Sequence, residues 1–273
     1  MITKEEIKES ARFYHMKPYQ QEKHYIQTIV LNSIYSSVSN ELVFKGGTCM
    51  LFFYGLNRFS EDLDFTMAKG IDTKKIVSAV KRDLENLGIN CRISKIEEDE
   101  TSVYFKIGAE GPLYTQEIER CFVSVEISKR EIAKNFRILE LRSPYKEVIG
   151  FSVCVMDEKE ILAEKIRALV TRNQARDLFD AYFLLKKGVK PEIELINKKL
   201  GYYNKKFDTK KIFTSSDFRG AQKPLVFDKK EIARSIRNKK ELWFSELKPL
   251  IIGTLPPYEQ VKKEVEKFIA ELK

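Results

Sequence analysis

The sequence predicts an α+β protein, with a mixed α/β lobe over residues 1–155 and an all-α, basic lobe over residues 156–273. Three observations carry this. Up to residue 155, helical stretches alternate with short apolar runs bounded by Gly, Pro and Ser, whereas from Asp157 the apolar spacing is helical. Charge divides at the same place: residues 1–155 carry 22 basic and 22 acidic side chains, residues 156–273 carry 27 and 18, and the second part supplies the whole net charge of +9. Hydrophobic residues make up 43% of the 273, enough to bury a real core in one large or two modest domains.

Residues 4–16 and 19–38 are predicted helices, and Pro18 suits the first turn of the second. Ile26, Ile29, Val30, Ile34 and Val38 recur at helical spacing and form its buried stripe. Leu42-Val43-Phe44 is a short strand that meets a turn at Gly46-Gly47, Thr48 to Tyr54 is a helix, and 63–67 is the next strand. A helix over 73–87 closes at Gly88. Strands follow at 89–96, 102–108 and 120–127, with a Gly-Pro turn at 111–112, and another at 136–141. The Ser, Pro and Gly of 143–150 mark a hinge between the lobes. The second lobe is read as helices at 157–171, 174–187, 191–200, 228–247 and 257–272, with an irregular basic stretch at 201–227.

Several classes are excluded. No apolar run approaches the ~20 residues that span a bilayer. The N-terminus is charged from its fourth residue, unlike a signal peptide. Cys49, Cys91, Cys121 and Cys154 are scattered singles without metal-ligand spacing, and two histidines do not make up the difference; they read as reduced core residues of a cytoplasmic protein. His15 and His24, on the predicted N-terminal helices, have no nucleophile or acid at a telling position and receive no catalytic role, and Trp243 reads as core. Residues 186–240 hold 17 basic and 6 acidic side chains, with the doublets Lys186-Lys187, Lys198-Lys199, Lys205-Lys206, Lys210-Lys211, Lys229-Lys230 and Lys239-Lys240 among Tyr202, Tyr203, Phe207, Phe213 and Phe218. Such a surface either holds a phosphate backbone and stacks bases or is a solvated helical face that keeps the protein soluble.

The chemistry lies in Lys45-Gly46-Gly47-Thr48, thirteen intervening residues, and Asp62-Leu63-Asp64-Phe65. Residues two apart on a strand share a face, so Asp62 and Asp64 project together while Leu63 and Phe65 point into the core. Two parallel carboxylates call for a cation between them, and Mg²⁺ is the usual one beside phosphates. The Gly-Gly turn lets backbone N–H groups approach a ligand. A helix starting at Thr48 aims its N-terminal dipole and a hydroxyl at phosphate oxygens, and Arg58 and Ser60 add donors. In outline this is a triphosphate–metal site.

The string FKGGTCMLFFYGLNRFSEDLDF resembles the signature of the DNA polymerase β-like nucleotidyltransferase superfamily, and within it the AbiEii branch, the toxins of type IV toxin–antitoxin systems related to the MenT toxins. A second stretch, ILAEKIRALVTRNQARDLFDAYFLL, looks like that branch's downstream helical motifs. The resemblance covers roughly residues 40–190 and implies a nucleotidyltransferase-like lobe, a small mixed sheet flanked by helices. It implies that Gly46, Gly47, Thr48, Arg58 and Ser60 hold nucleotide phosphates, that Asp62 and Asp64 ligate Mg²⁺ or Mn²⁺, and that Glu126 is the third carboxylate. Lys165 and Asp177 are then catalytic, with Arg176 and Asp180 beside them. Lys165 either snorkels to solvent or reaches a triphosphate, Asp177 positions Lys165 or Arg176, and the alternative is a salt-bridge cluster holding helices together. Lys45, Arg167 and Arg172 are further phosphate contacts. The activity implied is transfer of an NMP from an NTP to RNA, such as a tRNA 3′ end, gripped by the basic lobe, in a toxin with a cognate antitoxin. Transfer to a protein or small-molecule hydroxyl, or a silent binding protein on the same fold, are the alternatives.

Overall fold

The computed structural model describes residues 1–206 and 225–272, of which 203–206 by backbone only. The side chains of Tyr203 and of the doublet Lys205-Lys206, and the whole of Phe207, Lys210-Lys211, Phe213 and Phe218, therefore lie outside the described residues. The chain separates into two compact units, Met1–Asp157 with Leu250–Gly253, and Glu158–Pro249 with Thr254–Lys273.

The first unit is a mixed sheet with helices. Helices α1 (Lys4–Phe13) and α2 (Pro18–Ser37) precede strand β1 (Leu42–Lys45), the helix α3 (Gly46–Cys49) with its π-helical extension Met50–Tyr54, and strand β2 (Leu63–Met67). Then come α4 (Thr73–Asn86), β3 (Cys91–Ile93), β4 (Glu97–Glu98), β5 (Ser102–Ala109), β6 (Cys121–Ser128), β7 (Phe136–Leu141) and β8 (Phe151–Met156). The strand order is β3-β5-β6-β2-β1-β8-β7, with β4 also on β5. Strand β2 is antiparallel to β1 and parallel to β6, and β1 is parallel to β8. On one face, Val123, Val125, Ile127, Leu63 and Phe65 are fully buried, and α2 packs there through Tyr25, Ile26, Val30 and Ile34.

Several elements depart from expectation, among them the helix expected at 191–200, which runs over Ile193–Lys206 into a stretch read as irregular. Helix α1 stops at Phe13 rather than residue 16, because His15 turns the chain with φ of 54°, a left-handed conformation that ends a helix. The hinge expected at 143–150 is instead a connection inside the sheet. Tyr145 is buried within it, taking hydrogen bonds from Gln21 Nε2 (2.8 Å) and lying 2.8 Å from His24 Nδ1. It leads into β8, where Val153, Cys154, Val155 and Met156 are buried. A strand covered on both faces reads as a continuous apolar run without alternation, so it lacks the period that marks a strand. The helix expected over 228–247 is broken at Asn238-Lys239. The Lys239 ammonium turns inward onto the carbonyls of Leu169 (3.0 Å), Arg172 (3.3 Å) and Ser235 (3.2 Å), and the Tyr258 hydroxyl donates to Ile236 O (3.1 Å).

The second unit is helical: α5 (Glu158–Thr171), α6 (Ala175–Lys186), α7 (Ile193–Lys206), α8 (Lys229–Arg237), α9 (Lys240–Leu247) and α10 (Tyr258–Glu271). Leu162, Ile166, Leu169, Leu178, Leu184 and Val261 build its core. Trp243 lies between Phe179 (6.2 Å) and Tyr258 (5.8 Å), its Nε1–H donating to Pro256 O at 3.0 Å. The lysine doublets are partly structural. Lys186 pairs with Glu264, Lys187 with Glu158, Lys199 with Glu160 at 2.6 Å and Lys240 with Glu259, while Lys229 donates to Ala270 O and Leu272 O. Leu250–Gly253 returns to the first unit, where Phe59 N–H donates to Leu250 O (2.7 Å) and Ile252 N–H to Asn57 O (2.9 Å).

Candidate active site

Strand β1 ends extended at Lys45, and the chain turns at once into a helix at Gly46, two residues before the expected start. Gly46 has φ of 77°, which favours glycine. A Cβ at Gly46 would collide with the carboxylate of Asp64, and one at Gly47 would stand 2.6 Å from Arg58 Nη2 and 2.7 Å from Ser60 Oγ. The two glycines thus form a floor onto which Asp64, Arg58 and Ser60 converge. Five expected site residues, all within residues 46–64, come together in one place. The helix then loosens into its π turn, closed by Gly55 at φ of 78°; such turns recur at functional sites.

Thr48 sits differently from expectation. It is fully buried, and its hydroxyl donates to the carbonyl of Asp62 at 2.5 Å. Its side chain secures the acidic segment rather than facing a phosphate. Asp62 and Asp64 are half-buried while Leu63 and Phe65 are fully buried, so the carboxylates share the outer face. Asp64 lies in register with Lys45 on β1 and with Glu126 on β6.

Gln27, unnoticed in the sequence, completes the support. It is fully buried on α2 and donates through Nε2 to the carbonyls of Ser60 (3.1 Å) and Glu61 (2.9 Å). Three consecutive carbonyls, those of Ser60, Glu61 and Asp62, are thereby held by side chains from α2 and α3. The signal was present: Gln27 shares a helical face with Val30, Leu31 and Ile34, and a polar side chain on a buried face needs partners. A Gln27→Met protein should fold yet lose about 10- to 100-fold in kcat with nucleotide KM little changed, since a displacement near 1 Å is that costly. Ser33→Ala, equally buried on α2 but bonded to Ile29 O, should leave kcat alone. Steady-state kinetics on both variants, with melting curves, check this.

The donor set fits a hard divalent cation. Asp62 and Asp64 offer carboxylate oxygens on one face, and Mg²⁺ is commonly held by one or two carboxylates plus substrate phosphates rather than by an all-protein cage. Among the described residues no group of three or more His, Cys, Asp or Glu side chains stands ready to hold a metal ion. Glu126, the expected third ligand, is in register with Asp64, but its side chain is 48% exposed and lies 3.8 Å from Arg130 Nη1.

The downstream motif forms a second cluster, within the helical unit. Lys165 is buried on α5, with Nζ 2.7 Å from Asp180 Oδ2 and 3.4 Å from Asp177 Oδ1. Asp177 also accepts two hydrogen bonds from Arg172, at 2.7 and 2.8 Å. Burial alone would raise the Asp177 carboxyl, but Lys165 and then Arg172 outweigh it and hold it well below the usual range. The partners of Asp177 are thus Lys165 and Arg172; Arg176 bonds instead to Gln174 Oε1 at 3.0 Å. Nearby Lys239 is pushed down to about 8 by burial. His24, in the first unit, is pushed down to about 4 by burial against Phe52 and Tyr145.

A mixed sheet presenting two carboxylates over a Gly-Gly helix start, with a helical unit following, is the architecture of a nucleotidyltransferase. The model of the nucleotidyl transferase AbiEii toxin family, of type IV toxin–antitoxin systems, matches residues 30–266, and the chain belongs to that family. Its structure is similar to MenT4, a nucleotidyltransferase toxin of Mycobacterium tuberculosis (TM-score 0.64, 20% identity, 100% of this chain and 91% of that one). It is also similar to JHP933 of Helicobacter pylori (0.58, 20%, 92% and 90%) and to a candidate nucleotidyltransferase of the same organism (0.58, 20%, 91% and 92%). No curated protein sequence matches the chain. Among the described residues no helix is long and apolar enough to cross a membrane.

Proposed function

We propose that the protein transfers a nucleoside monophosphate from an NTP to a hydroxyl of an RNA acceptor, such as a tRNA 3′ end. The observation that supports this best is Gly46, where only the lack of a Cβ lets the Asp64 carboxylate approach the first turn of α3. In this reading the glycine floor with Arg58 and Ser60 receives the triphosphate. Asp62 and Asp64 hold Mg²⁺ or Mn²⁺, which when bound neutralises phosphate charge, and Glu126 is the third carboxylate beside them. Lys165 is the cation assigned to the triphosphate, and Asp177 and Asp180 position it. The acceptor hydroxyl attacks the α-phosphorus and gives up its proton to solvent, a new P–O bond forms, the bond from the α-phosphorus to the oxygen bridging to the β-phosphate breaks, and pyrophosphate leaves. The protein contributes mainly alignment and charge stabilisation.

Family membership implies an NTP substrate and a partner antitoxin; a cytoplasmic site of action belongs to the same reading. The net charge of +9 favours nucleic acid over a protein or small-molecule acceptor. Incubating the protein with each α-³²P-labelled NTP, Mg²⁺ and total cellular RNA, then resolving RNA and protein on a denaturing gel, tests it. Label in a small-RNA band is expected. Label on a protein band moves the acceptor to protein, and no label from a folded sample overturns nucleotide transfer in favour of a silent binding protein.

A further inference from the structure

The row of residues crossing the sheet in register at Asp64 runs Lys45, Asp64, Glu126, Tyr104, Glu97. In-register neighbours share a face. The glycine floor lies on the β1 side of Asp64. On the other side, over β6 and β5, the same face continues through Ser124 opposite Lys106, then Phe122 opposite Gly108, which is itself opposite Arg92 of β3. Acidic groups cluster at the Asp64 end, while the far end holds Phe122, Lys106 and Arg92, with Glu110 and Glu117 paired to the arginines there. Along β6, Phe122 lies about 13 Å from Glu126, within reach of an extended dinucleotide.

Phe122 is 43% exposed, although β6 is hydrogen-bonded to β5 on one side and β2 on the other. A large apolar side chain at the middle of a sheet is ordinarily covered; here the ring packs against Gly108, where a Cβ would stand 2.9 Å from both its Cε1 and Arg120 Cδ. Lys106 Nζ stands 4.5 Å from the ring centroid. The half-buried Tyr104 donates to Ser124 Oγ at 3.3 Å, on the same face. Arg92 is largely exposed, 3.6 Å from Glu117. A half-exposed ring, a tyrosine and two cations beside an acidic row are what a single nucleic-acid strand asks of a surface: faces to stack bases on and cations for its phosphates. In the helical unit, Lys199 is buried against Glu160, whereas Lys186, Lys187 and Lys240 are exposed in surface pairs.

We propose that the outer face of β5 and β6 is the bed for a single-stranded RNA acceptor. Its terminal hydroxyl lies by Asp64 and Glu126, the bases before it stack on Tyr104 and Phe122, and Lys106 and Arg92 meet its phosphates. This rests on the RNA-acceptor reading above and locates the acceptor within it.

The test is fluorescence anisotropy of a 5′-labelled mixed-sequence single-stranded RNA dodecamer, without NTP, on the full chain. Phe122→Ala should weaken binding about fivefold or more, and Phe122→Ala with Tyr104→Ala further, because each stacked base contributes on that scale. Lys106→Gln should lower the slope of log Kd against log salt by about one. Ile138→Ala, 65% exposed on β7 of the same sheet, should change nothing. The KM for NTP should be unaltered in all four. RNA binding that ignores Phe122 and Tyr104 would overturn this inference and leave the RNA-acceptor reading standing. A wild type that binds no RNA and labels a protein instead would overturn both.

Discussion

Asp64→Asn is expected to lower nucleotide transfer by about 10³-fold, roughly 4 kcal/mol of transition-state stabilisation, with the fold intact. The substitution keeps shape and removes one charge from the face where Asp62 and Asp64 stand together. It costs little stability, because Asp64 is only half-buried and the strand beneath it is anchored by Leu63 and Phe65, both fully buried. RNA binding should persist, since the stacking face lies along β5 and β6. Single-turnover labelling with the preferred NTP, beside a melting curve, reads both quantities. Activity that survives Asp64→Asn and Asp62→Asn alike would place the chemistry elsewhere.

Asp177→Ala should produce the largest loss of stability. It removes a fully buried carboxylate that Lys165 and Arg172 both hold. Breaking a buried pair from one side typically costs 3–5 kcal/mol. The lower end, about 3 kcal/mol, applies here. The Arg172 side chain is 44% exposed and can turn to water, and Lys165 keeps Asp180 at 2.7 Å. Calorimetry should show the helical unit melting earlier, while the sheet unit, with its own core, changes little. The acid response follows in sign. The folded Asp177 carboxyl is depressed below its unfolded value of 3.8, so its stabilisation is present above about pH 4 and is lost as pH falls through the folded value. Asp177→Asn should remove that part of the acid sensitivity, which melts at a series of pH values would reveal.

Much of the site was legible because its parts are local. Strand β2 lies at 63–67 as predicted, since alternation survives where one face is buried and the other wet. Gly46, Gly47 and the Asp62–Asp64 pair were visible from spacing alone. The bond made by Thr48 was not legible: a hydroxyl in a phosphate-binding string can serve a backbone carbonyl, and only the position of Asp62 O reveals that it does. Asp177 presents the same problem. Arg172 and Arg176 are both near it in sequence, and the turn between α5 and α6 selects Arg172.

The order of helices and strands up to β7, the pairing of carboxylates on one face and the division of charge between the two halves follow from period, residue type and count. These are properties of neighbours along the chain. Which side chains meet across the chain does not follow from them. Gln27 reaching Ser60 and Glu61, β8 entering beside β1, Phe122 packing against Gly108, and Lys199 and Lys239 turned inward to acids and carbonyls all depend on sheet register and helix packing. Those arrangements are fixed by burial and by the need of every buried polar group for a partner, conditions that exist only once distant segments have come together.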